Sequence, residues 1–322
     1  MAPTRASTGS PEVVQRMYGG DTDDGRTSMA TLKRTLAATD FSASARHAAE
    51  RAALVSRATG ASLDLLHVAN LAPLERLRQL LTQTSSDLPE RMLEVSRQRL
   101  RELAALLAER HGVEAGVQVF TGSVVAAIGR EADAEAPSLV VCGATGESVI
   151  RHLLLGSTAA RLLSRAICPV LVVKQVPRSD YRKLLVAVDL SPSSVRAIRH
   201  AQAIAPQADL VLLHVFEVPF EGHMRYAGVK EETIDRYRDI ARQEATERLR
   251  ALSAETGLAA RAVPLKLVHD NPVLRILEQE QEQDCALIVM GKDGQSGLEE
   301  LMLGSVTKRV LGESQSDVLV SI

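Results

Sequence analysis

Short apolar runs alternate with longer segments of helical periodicity along most of this chain. Five apolar runs in the first half predict strands, at residues 35–38, 63–68, 113–120, 139–142 and 170–173. Between them, apolar residues recur every three to four positions in segments that predict helices, at residues 42–59, 90–110, 124–135 and 157–164. The first half is therefore predicted to alternate strands with helices.

The second half repeats this alternation. Its apolar runs predict strands at residues 184–188, 210–215, 263–268, 286–290 and 318–322, with a helix near residues 231–255. Strands that alternate with helices favour right-handed crossovers and a mostly parallel sheet that is covered on both faces. We therefore expect an α/β fold of two similar doubly wound domains, each with a five-stranded sheet and helices on both faces.

An internal repeat supports this division into two domains. The segment "LKRTLAATDFSASARHAAERA" from Leu32 is matched by "YRKLLVAVDLSPSSVRAIRHAQA" from Tyr181, and "LDLLHVAN" is matched by "LVLLHVFE", at a spacing of about 148 residues. The short polar segment "KQVPRSDYRK" separates the copies. We expect a disordered tail at residues 1–30, a first domain at residues 31–176 and a second at residues 180–322.

Composition narrows the function classes. The chain has a formal net charge of −2, only 2% aromatic residues and no Trp, so it lacks the positive field and the stacking platforms of nucleic-acid binders. No run approaches the roughly 18 apolar residues of a membrane span. Cys142, Cys168 and Cys285 form no CxxC pair, which favours reduced thiols in a cytoplasm. A cytoplasmic protein without nucleic-acid or membrane partners is expected.

A glycine pattern follows the fourth predicted strand of each half. "GATG" is followed by nine residues and then "GS" in the first half, and "GKDG" is followed by nine residues and then "GS" in the second. Glycine amides and a serine hydroxyl at the start of a helix can hold phosphate oxygens. In doubly wound sheets, ligands lie beyond the carboxyl ends of the strands at the topological switch point. The pattern therefore predicts one anion-binding crevice in each half.

These motifs give the chain a resemblance to the universal stress protein family over about residues 32–322. The resemblance is carried by "ATDFS" and "AVDLS" at the first strand, "LLHV" in the second, the two glycine patterns, and the closing "CPVLVV" and "DVLVSI". It implies a cytoplasmic stress-response protein with an adenine-nucleotide alpha-hydrolase-like fold, in a family of which some members bind ATP. It predicts no metal.

The resemblance also implies which residues would contact ATP. In the first half, Asp40 and Val68 would meet the adenosine, and the phosphates would be held by Gly143, Gly146, Gly156 and Ser157. The matching positions in the second half are Asp189, Val215, Gly291, Gly294, Gly304 and Ser305, with Thr307 in addition. A carboxylate at the end of the first strand can accept hydrogen bonds from ribose hydroxyls or from an adenine amine.

The sequence departs from the family pattern between and after the first two glycines. The family often has a His and then an Arg there, whereas this chain has Thr145 and Glu147 in one half and Asp293 and Gln295 in the other. The acidic residues would repel a polyphosphate, and only Asp293 has a neighbouring cation, Lys292, to offset it. ATP binding in one domain or in both is left open.

Structural explanations compete with the ligand-binding ones. The glycines can serve turn geometry around an empty cleft, and Asp40 and Asp189 can cap the helices that follow them. His67 and His214 are expected to be core or supporting histidines, because no spaced metal ligands accompany them. Cys142 is expected to be a small buried hydrophobe.

No enzymatic activity is predicted. The chain lacks a G-x4-G-K-[ST] loop, a G-x-S-x-G elbow and zinc spacing, so slow ATP hydrolysis or self-phosphorylation would have no assignable catalytic residue. A nucleotide-responsive module that signals through unknown protein partners is the first hypothesis, and a nucleotide-independent scaffold is the alternative. The apolar last strands would expose edges, so the two domains are predicted to pair through them, with further dimerisation open.

Overall fold

The computed structural model describes residues 31–71, 87–128, 138–146, 155–292 and 303–322. The predicted tail at residues 1–30 lies outside the described residues. The first half contains β1 (Arg34–Thr39), α1 (Ala43–Thr59), β2 (Ser62–Ala69), α2 (Leu88–His111), β3 (Ala115–Thr121), β4 (Leu139–Gly143), α3 (Ser157–Arg165) and β5 (Val170–Val173). Residues 124–128 are also helical.

The second half has the same order of elements. It contains β6 (Lys183–Val188), α4 (Pro192–Ile204), β7 (Asp209–Phe216), α5 (Glu221–Tyr226), α6 (Glu231–Glu255), β8 (Leu265–His269), α7 (Pro272–Glu282), β9 (Leu287–Gly291), α8 (Ser305–Glu313) and β10 (Asp317–Ser321). Among these helices, the sequence pattern predicted the bounds of α6 alone. All five predicted strands of each half are present.

Two strands begin two residues later than predicted. β3 begins at Ala115 and β8 at Leu265. In each case the chain passes through a left-handed residue three positions earlier, Gly112 with φ 67° and Ala262 with φ 51°. The apolar residues between this turn and the strand pack against the core without joining the sheet. Apolar character therefore extends beyond the hydrogen-bonded strand.

The ten strands within the described residues form one sheet in the order β3-β2-β1-β4-β5-β10-β9-β6-β7-β8. Pairing is parallel within each half, and β1 lies between β2 and β4. The halves meet where β5 pairs antiparallel with β10, with Leu171 opposite Leu319. The doubly wound α/β fold and the predicted pairing through the last strands are confirmed.

Hydrophobic clusters cover both faces of the sheet. Alternation along β4 sends Val141 into one cluster and Val140 and Cys142 into the other. In the first cluster α1 packs through fully buried alanines, among them Ala48 and Ala52. These small side chains let the helix backbone lie close to the sheet, and the closely packed sheet fixes where the strands end.

Asp317 at the start of β10 connects the two halves and the segment between them. Its carboxylate is fully buried. Oδ1 accepts hydrogen bonds from the backbone N–H groups of Lys174 and Gln175, at 2.8 and 3.1 Å, and Oδ2 accepts one from the Tyr181 hydroxyl at 2.6 Å. Arg51 of α1 places Nε 3.3 Å from Oδ2. One carboxylate thus holds the connecting segment and a first-half helix.

His200 gives the fold a dependence on pH. Its Nδ1 lies 2.8 Å from Ser321 Oγ, and burial together with nearby Arg196 lowers the pKa of His200 from 6.5 to about 4. In the unfolded chain the His200 imidazole is protonated below about pH 6.5, whereas in the folded chain it stays neutral down to about pH 4. We therefore expect stability to fall as pH drops from 6.5 towards 4.

Urea unfolding at pH 7 and pH 5 measures this contribution. The variant His200→Gln should show a smaller loss of unfolding free energy between the two pH values than the wild-type protein. An equal loss in both proteins would contradict the assignment to His200. The half-buried His67 and the buried His214 also have lowered pKa values and contribute to the pH dependence that remains in the variant.

Candidate functional site

A crevice of about 490 Å³ opens where β1 and β4 end in the first half. This position is the topological switch point, because β1 pairs with β2 on one side and with β4 on the other. All six residues predicted for the first half line the crevice, namely Asp40, Val68, Gly143, Gly146, Gly156 and Ser157. The fold therefore brings together groups that are far apart in the sequence.

Asp40 organises the turn between β1 and α1. Its Oδ1 accepts a hydrogen bond from the Ser42 N–H at 3.0 Å, and Ser42 is the N-cap of α1, accepting from the Ala45 N–H at 3.2 Å. Phe41 between them has a left-handed φ of 65°. The alternative that Asp40 itself caps the helix is wrong, because this turn moves the cap two residues onward. Asp40 stays exposed at the mouth of the crevice.

Gly143 is required by close packing. A Cβ at this position would lie 2.4 Å from Ser44 Oγ and 2.9 Å from the Ser44 carbonyl carbon. The second clash is with backbone, so a side-chain rotation could not remove it. At Gly146 a Cβ would lie 2.8 Å from Asp40 Oδ2. Gly143 thus supports the turn-geometry explanation, whereas the missing side chain at Gly146 keeps space open beside the carboxylate.

Gly156 has a different role from the predicted one. It is the N-cap of α3, and its N–H already donates to the Ala144 carbonyl oxygen at 2.8 Å. The first-turn amides of α3, beginning with Ser157, are the donors that a helix leaves without intrahelical acceptors. An anion at this helix start would therefore meet Ser157 and the residues after it, together with the Ser157 hydroxyl.

Arg161 is a crevice residue that the sequence motifs do not predict. Its Nε donates to the Ser157 carbonyl oxygen at 3.0 Å and its Nη2 to Ser157 Oγ at 3.2 Å, and the side chain lines the crevice. It supplies the cation that the glycine motif lacks. The available signal is its position four residues after Ser157, one turn along the same helix face. Asn70 and Ser123 add polar groups to the rim.

The corresponding space in the second half is small and apolar. It measures about 70 Å³ and is lined by apolar side chains that include Val215, Met290 and Val306. Met290 and Val306 occupy the positions of Cys142 and Thr158 in the first-half crevice. Of the predicted second-half residues that the structure describes, only Val215 lines this space, so the described parts of the two halves differ at the switch point.

The polar residues predicted for the second half make internal hydrogen bonds. Oδ1 of Asp189 accepts from the Ser191 N–H and hydroxyl at 3.0 and 2.6 Å and from the Ser194 hydroxyl at 2.9 Å. Asp189 is not the helix cap either, since Ser191 is the N-cap of α4. Thr307 is buried and donates to the Gly291 carbonyl oxygen at 3.0 Å. These bonds stabilise the fold around the small space.

The glycine loop of the second half is only partly described. Gly304 is the N-cap of α8, ahead of Ser305, and its N–H donates to the Lys292 carbonyl oxygen at 3.0 Å. Gly294 and Asp293 lie outside the described residues. The expectation that Lys292 offsets Asp293 therefore falls on a residue outside the described ranges and stays a prediction. Lys292 itself is described, and its Nζ donates to the Ser164 carbonyl oxygen of the first half at 3.2 Å.

His67 and His214 tie neighbouring strands together. Nδ1 of His67 lies 2.8 Å from the Thr39 carbonyl oxygen of β1, and Nδ1 of His214 lies 2.8 Å from the Val188 carbonyl oxygen of β6. Burial lowers the pKa of both histidines, so the neutral rings are favoured. These contacts suit supporting histidines that fix the strand ends carrying Asp40 and Asp189. Among the residues that the structure describes, no cluster of His, Cys, Asp and Glu has the arrangement of a metal site.

Cys142 lines the crevice as a buried neutral thiol. Burial raises its pKa to about 12, so the thiolate that would act as a nucleophile is not formed near neutral pH. The expected small-hydrophobe role therefore agrees with its surroundings.

Over the described ranges, no helix has the length and apolar character needed to cross a bilayer.

The fold and the crevice together define a tandem doubly wound α/β protein with a glycine-lined crevice at the switch point of its first half. Comparison with known proteins agrees with this class. The model of the Universal stress protein family matches residues 31–174 and again residues 180–321. The chain belongs to the universal stress protein family and contains its domain twice.

Individual known proteins are similar to this chain in sequence or in fold. Universal stress protein YxiE of Bacillus subtilis is 34% identical over 148 residues, which cover 44% of this chain and 98% of that protein. The crystal structure of a universal stress protein from Archaeoglobus fulgidus covers 89% of this chain and 97% of its own, with a TM-score of 0.61 and 21% identity. A universal stress protein crystallised with cAMP is 29% identical and covers 44% of this chain and 97% of its own, with a TM-score of 0.29.

Proposed function

We propose that this protein binds adenine nucleotide, with ATP as the first candidate, in its first half only. The single observation that carries the proposal is the contrast between the 490 Å³ polar-rimmed crevice of the first half and the 70 Å³ apolar space at the equivalent place in the second. Ligands of doubly wound folds bind in open crevices at the switch point that carry a few polar groups, as the first-half crevice does.

The crevice offers complementary groups for each part of a nucleotide. Val68 and Leu66 give an aliphatic wall for the base, and the exposed Asp40 carboxylate can accept hydrogen bonds from ribose hydroxyls. At the other end, the first-turn amides of α3, the Ser157 hydroxyl and the Arg161 guanidinium suit phosphate oxygens. Phosphate would replace Ser157 Oγ as the acceptor for Arg161.

Charge at the rim distinguishes the halves further. Asn70 and Gly122 line the first-half crevice, whereas Glu217 and Asp270 occupy the corresponding positions of the second half. The Glu217 carboxylate would repel a polyphosphate, whereas Asp270 is paired with Arg275 at 2.6 Å. Arg309, which corresponds to Arg161, donates to Glu313 at 3.1 Å. The second half therefore combines a smaller space with less favourable charge.

We further propose that nucleotide binding regulates contacts with protein partners in a cytoplasmic stress response. A ligand can shift a protein only by binding one of its states more tightly, and the helix start at Ser157 is the element that phosphate would stabilise. The second candidate is a nucleotide-independent scaffold. The small apolar space of the second half favours it, because over its described residues that half keeps the fold with a space of only about 70 Å³ at this position.

Native mass spectrometry of the gently purified protein, followed by ATP titration, tests the proposal. We expect one adenine nucleotide per chain. ATP at about 100 times its Kd should stabilise the protein by about 2.7 kcal/mol and raise its Tm. Two bound nucleotides would refute the restriction to the first half. If the protein carried no nucleotide and its Tm did not change with ATP, the nucleotide-independent scaffold would be the supported function.

A further inference from the structure

Lys292 makes a contact between the glycine loop of the second half and the phosphate-end helix of the first. Its Nζ donates to the carbonyl oxygen of Ser164 at 3.2 Å. Ser164 lies in the last turn of α3, the nine-residue helix that begins with Ser157. Lys292 is only 6% exposed, and so low an exposure is rare for a lysine unless its charge is compensated.

The backbone of Lys292 is held on both sides. Its N–H donates to the Ser321 carbonyl oxygen of β10 at 2.8 Å, and its own carbonyl oxygen accepts from the Gly304 N–H at 3.0 Å. The side chain therefore extends from a fixed point between β10 and the start of α8. Its contact with α3 is positioned by the second half.

The equivalent contact from the first half to the second is not possible with the residues at the corresponding positions. The first-half residue at the position of Lys292 is Ala144, whose backbone makes the same two bonds, with Val173 and Gly156, but whose side chain cannot span the junction. The second-half residue at the position of Ser164 is Gly312. The asymmetry matches that of the crevices, because the half with the small space supports the half with the large one.

A cation at the carboxyl end of a helix favours an anion at the opposite end. The carbonyl groups of the last turn carry partial negative charge and the first-turn amides partial positive charge. An ammonium group bonded to the last turn compensates the carbonyl end. Over the about 13 Å length of α3 it also adds positive potential at the amides near Ser157. Both effects favour phosphate and leave an uncharged nucleoside unaffected.

We propose that Lys292 of the second half is a positioning residue for the first-half crevice, because it caps the carboxyl end of α3 and thereby strengthens phosphate binding at the amino end. This inference rests on the proposed nucleotide binding. It assigns the second half a role in the site of the first although the described space at its own switch point measures only about 70 Å³.

The test compares the affinities for ATP and adenosine by calorimetry in the full chain. In Lys292→Met we expect the ATP affinity to fall about two- to five-fold, the range of a helix-terminal charge, with the adenosine affinity unchanged. Lys292→Arg should restore ATP binding. The control Lys308→Met removes an exposed charge from α8 and should leave both affinities at the wild-type values.

Equal loss of ATP and adenosine affinity in Lys292→Met, or no loss of either, would overturn the inference. Failure of the wild-type protein to bind ATP would instead refute the proposed function. Hydrogen exchange in the nucleotide-free protein adds an independent measurement. Amides in the last turn of α3 should exchange faster in Lys292→Met than in Lys308→Met, and unchanged exchange there would show that Lys292 does not hold the helix.

Discussion

Replacing Asp317 with alanine is expected to lower the free energy of unfolding by about 3–5 kcal/mol, the cost of removing one partner from a buried ion pair. The Arg51 side chain is 5% exposed and would keep its charge without a carboxylate. The Tyr181 hydroxyl would lose its acceptor. Burial and Asp317 raise the pKa of Tyr181 well above its usual range, so this hydroxyl is a donor throughout the neutral range.

Urea unfolding followed by circular dichroism measures the effect. The control is Asp180→Ala, which removes an exposed carboxylate that pairs with Arg57 at 3.0 Å and should change stability by less than about 1 kcal/mol. If Asp317→Ala lost no more stability than Asp180→Ala, the buried carboxylate would not hold the halves together. Asp317→Asn, which keeps one acceptor oxygen, should lie between the wild-type protein and Asp317→Ala.

The double variant Ser157→Ala/Arg161→Gln is expected to weaken ATP binding about 10- to 100-fold. A hydrogen bond to a charged group contributes roughly 1.5–3 kcal/mol. We expect the two side chains together to contribute about one such bond, because the Arg161 guanidinium already donates to the Ser157 hydroxyl at 3.2 Å and must exchange this bond for the phosphate. Both side chains are at the end of the crevice assigned to the phosphates. Adenosine affinity should change little, because the base wall and Asp40 are untouched.

The matched control for this variant is Ser305→Ala/Arg309→Gln, which makes the same changes at the corresponding positions of the second half. It should bind ATP as the wild-type protein does. Thermal unfolding without ligand checks that both variants fold. Equal weakening in the two variants would contradict the assignment of the site to the first half, and undiminished binding in the first variant would exclude Ser157 and Arg161 as phosphate ligands.

Periodicity predicted most of the fold because it reports burial. Strands such as β4 and β9 are buried on both faces, so they are continuous apolar runs with few alternative interpretations. The internal repeat located the second half, and the apolar closing strands predicted the junction of β5 with β10. The starts of β3 and β8 were misplaced because coil residues beside a strand can be equally apolar.

The candidate site was predicted less completely for three-dimensional reasons. The glycine spacing found the loop, but the same spacing in the second half gave no sign that apolar side chains such as Met290 and Val306 line a much smaller space there. Arg161 contributes through its place on a helix that the motif only begins. The contact of Lys292 with Ser164 crosses between the halves, and a one-dimensional pattern carries no record of such a neighbour.

The antiparallel pairing of β5 with β10 has a consequence for dilution. Each half occupies the inner sheet edge of the other, and the connecting segment keeps them together at an effective concentration that does not depend on how much protein is present. Two separate domains joined by the same strands would come apart at low abundance. A cell that holds only a few copies of this chain would still contain the complete ten-stranded sheet, with Lys292 against α3.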